Sequence, residues 1–318
     1  MTIMTILPAL FTFIVGYILI KYPISISIPT ARGMHKDNIA SSGGIALMIG
    51  LSFIFVSVPL ILLLLIGMLG FLDDKYSLSK YLRFGFQIVI SGYLVYDYSF
   101  HSGHDISFAY LVILVFISTY TINIYNFMDG IDQLAISQAI FFIIGWILVF
   151  EDTVYNVDML FLLMAFFLIN YPKTKLFLGN SGSYLLGMLV FMIMLISTAT
   201  INFSSMIPFL ILMATFYTDT TYTLIIRFIR KFNDKGSTII KSMRHVTVAH
   251  RTHLYQKLAI KKNSHSKIVF IIMTYNIIWC LPLCYLAFNY IDYSFIFLFL
   301  SYSPYIYYCY INKAGIES

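Results

Sequence analysis

Charge is what this sequence has least of. Only 11% of its 318 residues are Asp, Glu, Lys or Arg, against about 25% in a soluble globular chain. That scarcity excludes an ordinary water-soluble domain. Cysteine is rarer still. Cys280, Cys284 and Cys309 each lie in an apolar run, so they read as small packing residues and not as a disulfide framework or a metal site. No polar stretch is long enough to carry a core of its own, the longest being about 229–266. Nor does any segment repeat at a fixed period, which removes solenoids and gives no support to the paired halves of many transporters. No basic residue precedes the first apolar run and no small-residue cleavage pattern follows it, so an uncleaved first span is expected there.

What the chain has in quantity is sequence compatible with hydrocarbon. Hydrophobic residues make up 60% of it, and its mean hydropathy is +0.86. Apolar runs approaching the length that crosses a bilayer, about 20 residues, recur at about 3–20, 44–57, 59–72, 84–98, 107–126, 134–150, 156–171, 184–200, 206–227, 267–288 and 291–311. The expected architecture is an all-α, polytopic integral membrane protein of about 10–11 transmembrane helices. Residues 1–318 would form a single transmembrane domain, with loops at about 21–43, 73–83, 127–133, 172–183 and 228–266 on one face. If the first span runs from outside to inside, all 20 Lys and Arg residues fall on that face, whereas Asp97, Asp105, Glu151, Asp152, Asp158 and Asp292 fall on the other. Basic residues favour cytoplasmic loops, so the N-terminus is expected outside and the basic face in the cytoplasm. The net charge of +6 then belongs to that face, directed at anionic headgroups and phosphorylated ligands, and gives no support for nucleic acid as a partner.

The polar motifs crowd the same face. Residues 123–135 read "NIYNFMDGIDQLA", in which Asn123, Asn126, Asp129 and Asp132 recur at every third position, a spacing that on a helix makes a slowly drifting row. They offer oxygen ligands without Cys or His, suited to Mg2+ or Mn2+ and not to zinc. Helix caps and interhelical hydrogen bonds would explain one or two of them. Asp73 and Asp74 end an apolar run. Two adjacent acids cannot both ionise cheaply unless a metal or a lysine stands nearby, and Lys75 and Lys80 are the lysines at hand. "FLGNSGSYLLG" at 177–187 is a small-residue turn into a helix, able to receive phosphate oxygens on its first N–H groups or to permit close helix packing. "HRTHLYQK" at 250–257 brings His250, Arg251 and His253 together, a poor metal set without a third ligand beside it but a fit clamp for a diphosphate. Contact of a basic loop with anionic lipid is the plainer alternative.

Taken in order, "GFLDD", "NIYNFMDGIDQLA", "LFLGNSGS" and a His-containing loop resemble the polyprenyl-phosphate N-acetylhexosamine-1-phosphate transferases, the superfamily that includes MraY, WecA and TagO, from about residue 28 to 267. "HRTHLYQKL", "NSHSK" and "TDTTYTLIIR" are closest to its WbpL-like branch, which starts O-antigen and related glycans, and the consecutive histidines expected of MraY are absent. The resemblance implies an MraY-like fold in the bacterial inner membrane, with its active site on the cytoplasmic face. It implies an enzyme dependent on Mg2+, with Mn2+ as a substitute, that transfers HexNAc-1-phosphate from a UDP-sugar to undecaprenyl phosphate and releases UMP. A homodimer is also implied.

Carried over by residue, the resemblance makes Asp73, Asp74 and Asp129 catalytic, the first two holding or deprotonating the lipid phosphate, and assigns the metal to Asn126, Asn180 and Asp129. Substrate contacts fall to Asn123, Asp132, Asn170, Phe177, Lys36, His250, Arg251 and His253, with Phe177 stacked on uracil. Three positions depart from the family pattern. Asn180 stands for an aspartate that ligates magnesium, which removes one negative charge and lowers the expected metal affinity. Gln133 stands where glycine is favoured, and Ser41 where arginine is. Two other readings stay open at this level. One is an impaired paralogue that binds UDP-sugar without turning it over; the other is a transporter of lipid-linked or anionic solutes, which would place its polar groups near the midplane on broken helices.

Overall fold

The computed structural model describes residues 3–28, 37–54, 57–103, 107–150, 156–197, 203–248 and 250–317. Helices dominate, in the chain order α1 (Ile3–Lys21), α2 (Gly44–Leu51), α3 (Val58–Tyr76), α4 (Lys80–Ser102), α5 (Phe108–Met128), α6 (Leu134–Phe150), α7 (Asn156–Asn170) and α8 (Gly179–Ser197). They continue as α9 (Phe203–Leu212), α10 (Ala214–Phe232), α11 (Ile239–Val246), α12 (Leu254–Lys262), α13 (His265–Tyr275), α14 (Leu281–Asn289) and α15 (Ser294–Ile311). A hairpin of β1 (Ser25–Ser27) and β2 (Ile39–Ser41) lies between α1 and α2, pairing antiparallel with Ser25 opposite Ser41. The fold is the expected all-α, polytopic one.

Helix α8 is the axis of the bundle. Every residue from Ser181 to Leu195 is buried, as an element apolar on all sides requires, and α3 and α5 pack along it. Side-chain caps set where the neighbours begin: Ser79 accepts from the Leu82 N–H at the start of α4, and Ser107 from the Tyr110 N–H at the start of α5. Helix α3 starts behind Ser57 with proline in its first turn, where the missing N–H costs nothing, and closes on Ser77 in the left-handed conformation.

Several expected spans change shape. The run at 44–57 yields only α2, eight residues long and about 12 Å at the helical rise, too short to cross. The run at 206–227 is not one helix, because α9 and α10 meet at an 89° bend. A break inside hydrocarbon leaves backbone groups to satisfy. Here Gln138 Nε2 donates to the Leu212 carbonyl at 2.9 Å, Asn276 Nδ2 donates to Gln138 Oε1 at 2.7 Å, and Thr215 Oγ1 donates to Asn276 Oδ1 at 3.2 Å. Residues 267–288 do form a continuous crossing element, α13 running into α14 through a π-helical turn at Asn276–Cys280. Among the described residues α5, α8 and the α13–α14 unit are each long and apolar enough to cross alone, and α9 with α10 makes a fourth if the bent pair is one span. The segment expected as loop 228–266 contains α11 and α12. All three cysteines are buried and unpaired, as packing residues should be.

Candidate functional site

The C-terminal end of α3 carries Asp73 and Asp74, the wrong pole of a helix for negative charge. What compensates is the opposite pole of α8, which points at them. Asn180 N–H donates to Asp74 Oδ1 at 3.0 Å and Ser181 N–H to Asp74 Oδ2 at 3.3 Å. Two glycines make this approach possible. Gly179 takes φ +67, and a Cβ there would lie 2.6 Å from Asp74 Oδ2, while a Cβ on Gly70 would lie 2.3 Å from the Asn180 carbonyl oxygen.

Asp73 is buried and its Oδ2 collects three donors: Arg83 Nη1 at 2.7 Å, Asn180 Nδ2 at 2.9 Å and the Tyr184 hydroxyl at 3.0 Å. The counter-ion is therefore Arg83, not Lys75 or Lys80 as the sequence suggested. Lys75 lies over the Tyr76 ring, and Lys80 donates to the Thr247 hydroxyl at 2.7 Å. Arg83 lies in the first turn of α4, which doubles back after the left-handed Ser77 and so returns a cation to the end of α3.

Asn126, in the last turn of α5, completes the convergence by donating through Nδ2 to Asn180 Oδ1 at 2.6 Å and to Ser183 Oγ at 3.1 Å. The every-third row is not helical throughout. Helix α5 ends at Met128, so Asp129 is its cap and Asp132 lies in the following turn. Asn123 stays on the helix but turns away, donating to Gln87 Oε1 and the Thr119 carbonyl, both at 2.7 Å.

A cavity of about 400 Å3 opens where these ends meet. Seven of the residues expected at the site line it: Asp74, Asn126, Asp129, Asp132, Asn170, Phe177 and Asn180. Asn170 also organises the wall, since its Oδ1 accepts the Lys175 and Leu176 N–H groups at 3.0 and 2.9 Å. Gln133 holds φ +66, which explains why glycine suits that position, and its side chain donates to the Asn170 carbonyl at 2.7 Å. Lys36 lies outside the described residues.

Crowded carboxylates set the electrostatics. Burial pushes Asp74 up to about 6, its two backbone hydrogen bonds and the Asp73 charge acting in opposite senses. Asp129 is held well above the ordinary carboxylate range by burial and by the charges of Asp74 and Asp132. Carboxyls raised in this way ionise together only where a cation joins them, the same cation that an incoming phosphate needs.

His250, Arg251 and His253 do not line the cavity; they stand on the loop beside it. His253 is buried, stacks on His250 at 5.0 Å and on Phe127 at 6.2 Å, and its Nδ1 lies 3.2 Å from Asp219 Oδ1. Asp219, fully buried in α10, also accepts the Leu254 and Tyr255 N–H groups at 2.9 and 3.0 Å and so caps α12. Tyr255 passes this anchoring to the end of α5 by donating to the Phe127 carbonyl at 2.8 Å.

Sequence reasoning named neither Asp219 nor two residues that do line the cavity, Gln256 and His265. His265 Nδ1 lies 3.0 Å from Asp132 Oδ2. The only signal for them was their place in "TDTTYTLIIR", "HRTHLYQK" and "NSHSK".

A second cavity, about 620 Å3, lies on the other side of α5 between α4 and α10. Its lining is apolar, including Phe84, Ile88, Val115, Phe116 and Phe127, with Asn123 at its edge.

A many-helix membrane protein with an acidic cavity at converging helix ends is thus defined by fold and site together. Residues 56–198 match the protein family described as glycosyl transferase family 4, and this segment contains the ends of α3 and α5 and the start of α8. The chain is 30% identical over 166 residues to a phospho-N-acetylmuramoyl-pentapeptide-transferase of Streptococcus equi, covering 43% of this chain and 48% of that protein. A protein of the same name from Staphylococcus epidermidis is 29% identical over 195 residues, 48% of this chain and 61% of the other. A putative UDP-N-acetylglucosamine–dolichyl-phosphate N-acetylglucosaminephosphotransferase of Saccharolobus solfataricus is 26% identical over 221 residues, 58% and 68% of the two chains. The chain spans about half the length of the first of these relatives.

Proposed function

We propose that this chain is a polyprenyl-phosphate sugar-1-phosphate transferase that moves HexNAc-1-phosphate from a UDP-sugar to undecaprenyl phosphate at the cytoplasmic face of the bacterial inner membrane. The observation that carries the reading is the meeting of Asp74, Asn126, Asp129 and Asn180 around one polar cavity, with Asp73 bonded to Asn180 behind its wall and an apolar groove on the other side of α5. A very polar donor and a very hydrophobic acceptor have to meet, and these two spaces flank the same helix end. The names of the relatives add that phosphorylated polyprenols and amino sugars are handled by proteins similar to this one.

The reaction is a displacement in which a lipid phosphate oxygen bonds to the β-phosphorus of the UDP-sugar as the bond to UMP breaks, with no net redox change. Catalysis of this kind is positioning and charge stabilisation. Asp74, held near 6, matches the second ionisation of a phosphate monoester, about 6. A proton can therefore pass between them near neutral pH with little driving force in either direction. Asp73 stays anchored to Arg83, Asn180 and Tyr184 and fixes the α3 end against α8.

The donor set fits a hard divalent cation. Asp129, Asn126 and Asn180 would hold Mg2+, which supplies charge neutralisation at the diphosphate when bound. Among the described residues no three His, Cys, Asp or Glu side chains can hold a metal ion by themselves. That suits Mg2+, which binds one or two carboxylates and completes its sphere with water and substrate phosphates.

On this reading His250, Arg251 and His253, on the loop beside the cavity, would serve the diphosphate, and Phe177, in the cavity wall, would stack on the base. The His-Arg-Thr-His pattern favours the WbpL-like branch and a surface glycan over peptidoglycan. A homodimer is part of the same reading. The test is UMP release by membranes given undecaprenyl phosphate and a panel of UDP-HexNAc donors. UMP release from at least one donor supports the reading; UDP-sugar binding without UMP release identifies the impaired alternative that Asn180 raises.

A further inference from the structure

A separate cavity of about 220 Å3 lies beyond the loop that carries the histidines, lined by Arg227, Arg230, Lys231, Asp234, His245, Gly315 and Glu317. Arg227 is the unusual member. Only 2% exposed, it still has an Nε without any hydrogen-bond partner. Its Nη2 donates to the His245 carbonyl at 3.1 Å, and its Nη1 reaches Glu317 Oε1 only at 3.4 Å. A buried guanidinium ordinarily has its donors satisfied by a bidentate anion. Here it meets one long contact from a carboxylate that is itself 75% exposed. Arg230 has no carboxylate partner among the described residues, and Lys231 has Asp234 at 3.0 Å. Burial and the Arg227 and Lys231 charges hold the His245 imidazole below its ordinary range, a mark of the positive field in this corner.

The segment that brings Glu317 here is strapped down locally. Gly315 N–H donates to the Thr252 carbonyl at 2.8 Å, and Lys257 Nζ donates to the Lys313 and Ile316 carbonyls at 2.9 and 3.1 Å. Gly315 packs so tightly on α10 that a Cβ would lie 2.8 Å from the Ile226 Cβ. Thr252 lies between Arg251 and His253, so whatever fills the Arg227 pocket touches the same strap that holds the histidine loop.

We propose that Arg227, Arg230, Lys231 and His245 form a phosphate-binding site outside the candidate active site, in which the Glu317 carboxylate is a weak internal occupant that an external phosphate displaces. The incoming group carries what a single carboxylate lacks: more charge and enough oxygens to satisfy the open Arg227 Nε while Arg230 closes on it. Its source is either the phosphate of an anionic phospholipid or a free phosphate. Each offers the same chemistry to the pocket.

The experiment uses the full chain, purified and kept in neutral detergent, as wild type, E317Q, R227Q and R230Q/K231Q. Inorganic phosphate is titrated at matched ionic strength with thermal unfolding as readout, and retention of phosphatidylglycerol against phosphatidylcholine is followed by native mass spectrometry. Removing the internal competitor in E317Q tightens binding of the effective probe by about two- to fivefold, the range of a largely solvated ion pair. R227Q abolishes it, and R230Q/K231Q, altered only on accessible side chains, weakens it if R227Q does not fold. A response to inorganic phosphate alone identifies free phosphate as the ligand; a response to phosphatidylglycerol alone identifies the headgroup. If E317Q binds neither probe more tightly than wild type, or the Arg227 and Arg230/Lys231 variants bind as wild type does, the proposal is overturned. None of these readouts depends on turnover, so the outcome is independent of the function proposed above.

Discussion

Asn180 decides more of this site than any other single residue. Its Nδ2 donates to Asp73 and its Oδ1 accepts from Asn126, so one amide satisfies an acid on one side and an amide on the other. An aspartate there would still accept from Asn126 but could no longer donate to Asp73, which it would face as a like charge unless a cation stood between them. Asn180→Asp is therefore expected to lower stability in chelator by about 1–3 kcal/mol and to recover with added Mg2+ more than wild type does. Thermal unfolding with and without the ion measures both arms. His250 gives a second test at this scale. Burial, with His253, Arg227 and His245 beside it, holds its imidazole down to about 3 against an ordinary value of 6.5. A group with a depressed folded value contributes stability that is full above about 6.5 and is lost as pH falls toward 3. Wild type should lose on the order of 1–2 kcal/mol from this group between neutrality and pH 5, and His250→Gln should remove that part of the slope in urea titrations across the range.

At the scale of elements, the site consists of helix ends. The α3 and α5 C-termini bring acids and amides, and the α8 N-terminus supplies the N–H groups that make them tolerable. Asp219 does the same for α12, accepting two of its first N–H groups while touching His253. Asp219→Asn keeps the shape but loses the charge-assisted cap. It is expected to lower stability by about 1–3 kcal/mol and to raise the KM for UDP-sugar more than it lowers kcat, which steady-state kinetics will separate. The motif segments were legible in the sequence because hard-oxygen side chains at the edges of apolar runs are rare. The row through Asp129 and Asp132 was misread as helical because nothing in the spacing announced that α5 stops at Met128. Arg83, Asp219 and His265 were not legible as site residues, since each reaches its partner through tertiary structure: a reversal between helices, a helix packed from far along the chain, and a contact across 133 residues.

For the molecule as a whole, the account requires two solvents at one place: a polar cavity for the nucleotide sugar and an apolar groove for the lipid. Gly92 lines the groove, and a Cβ there would only just reach Val115 at 4.0 Å, so there is room to fill it without strain. Gly92→Leu should raise the KM for undecaprenyl phosphate while leaving that for UDP-sugar unchanged, a split that kinetics at saturating concentrations of the second substrate will read. The bend between α9 and α10 and the short α2 limit what hydropathy could reveal, because a run of apolar residues fixes burial and not straightness. The central claim is that the α3 acids serve a phosphoryl transfer at this membrane face. The most direct measurement is UMP release from UDP-HexNAc and undecaprenyl phosphate by wild type and Asp74→Asn at equal, folded protein. The account predicts release by wild type and a loss of about 10²–10⁴-fold in the variant; undiminished turnover in Asp74→Asn would contradict it.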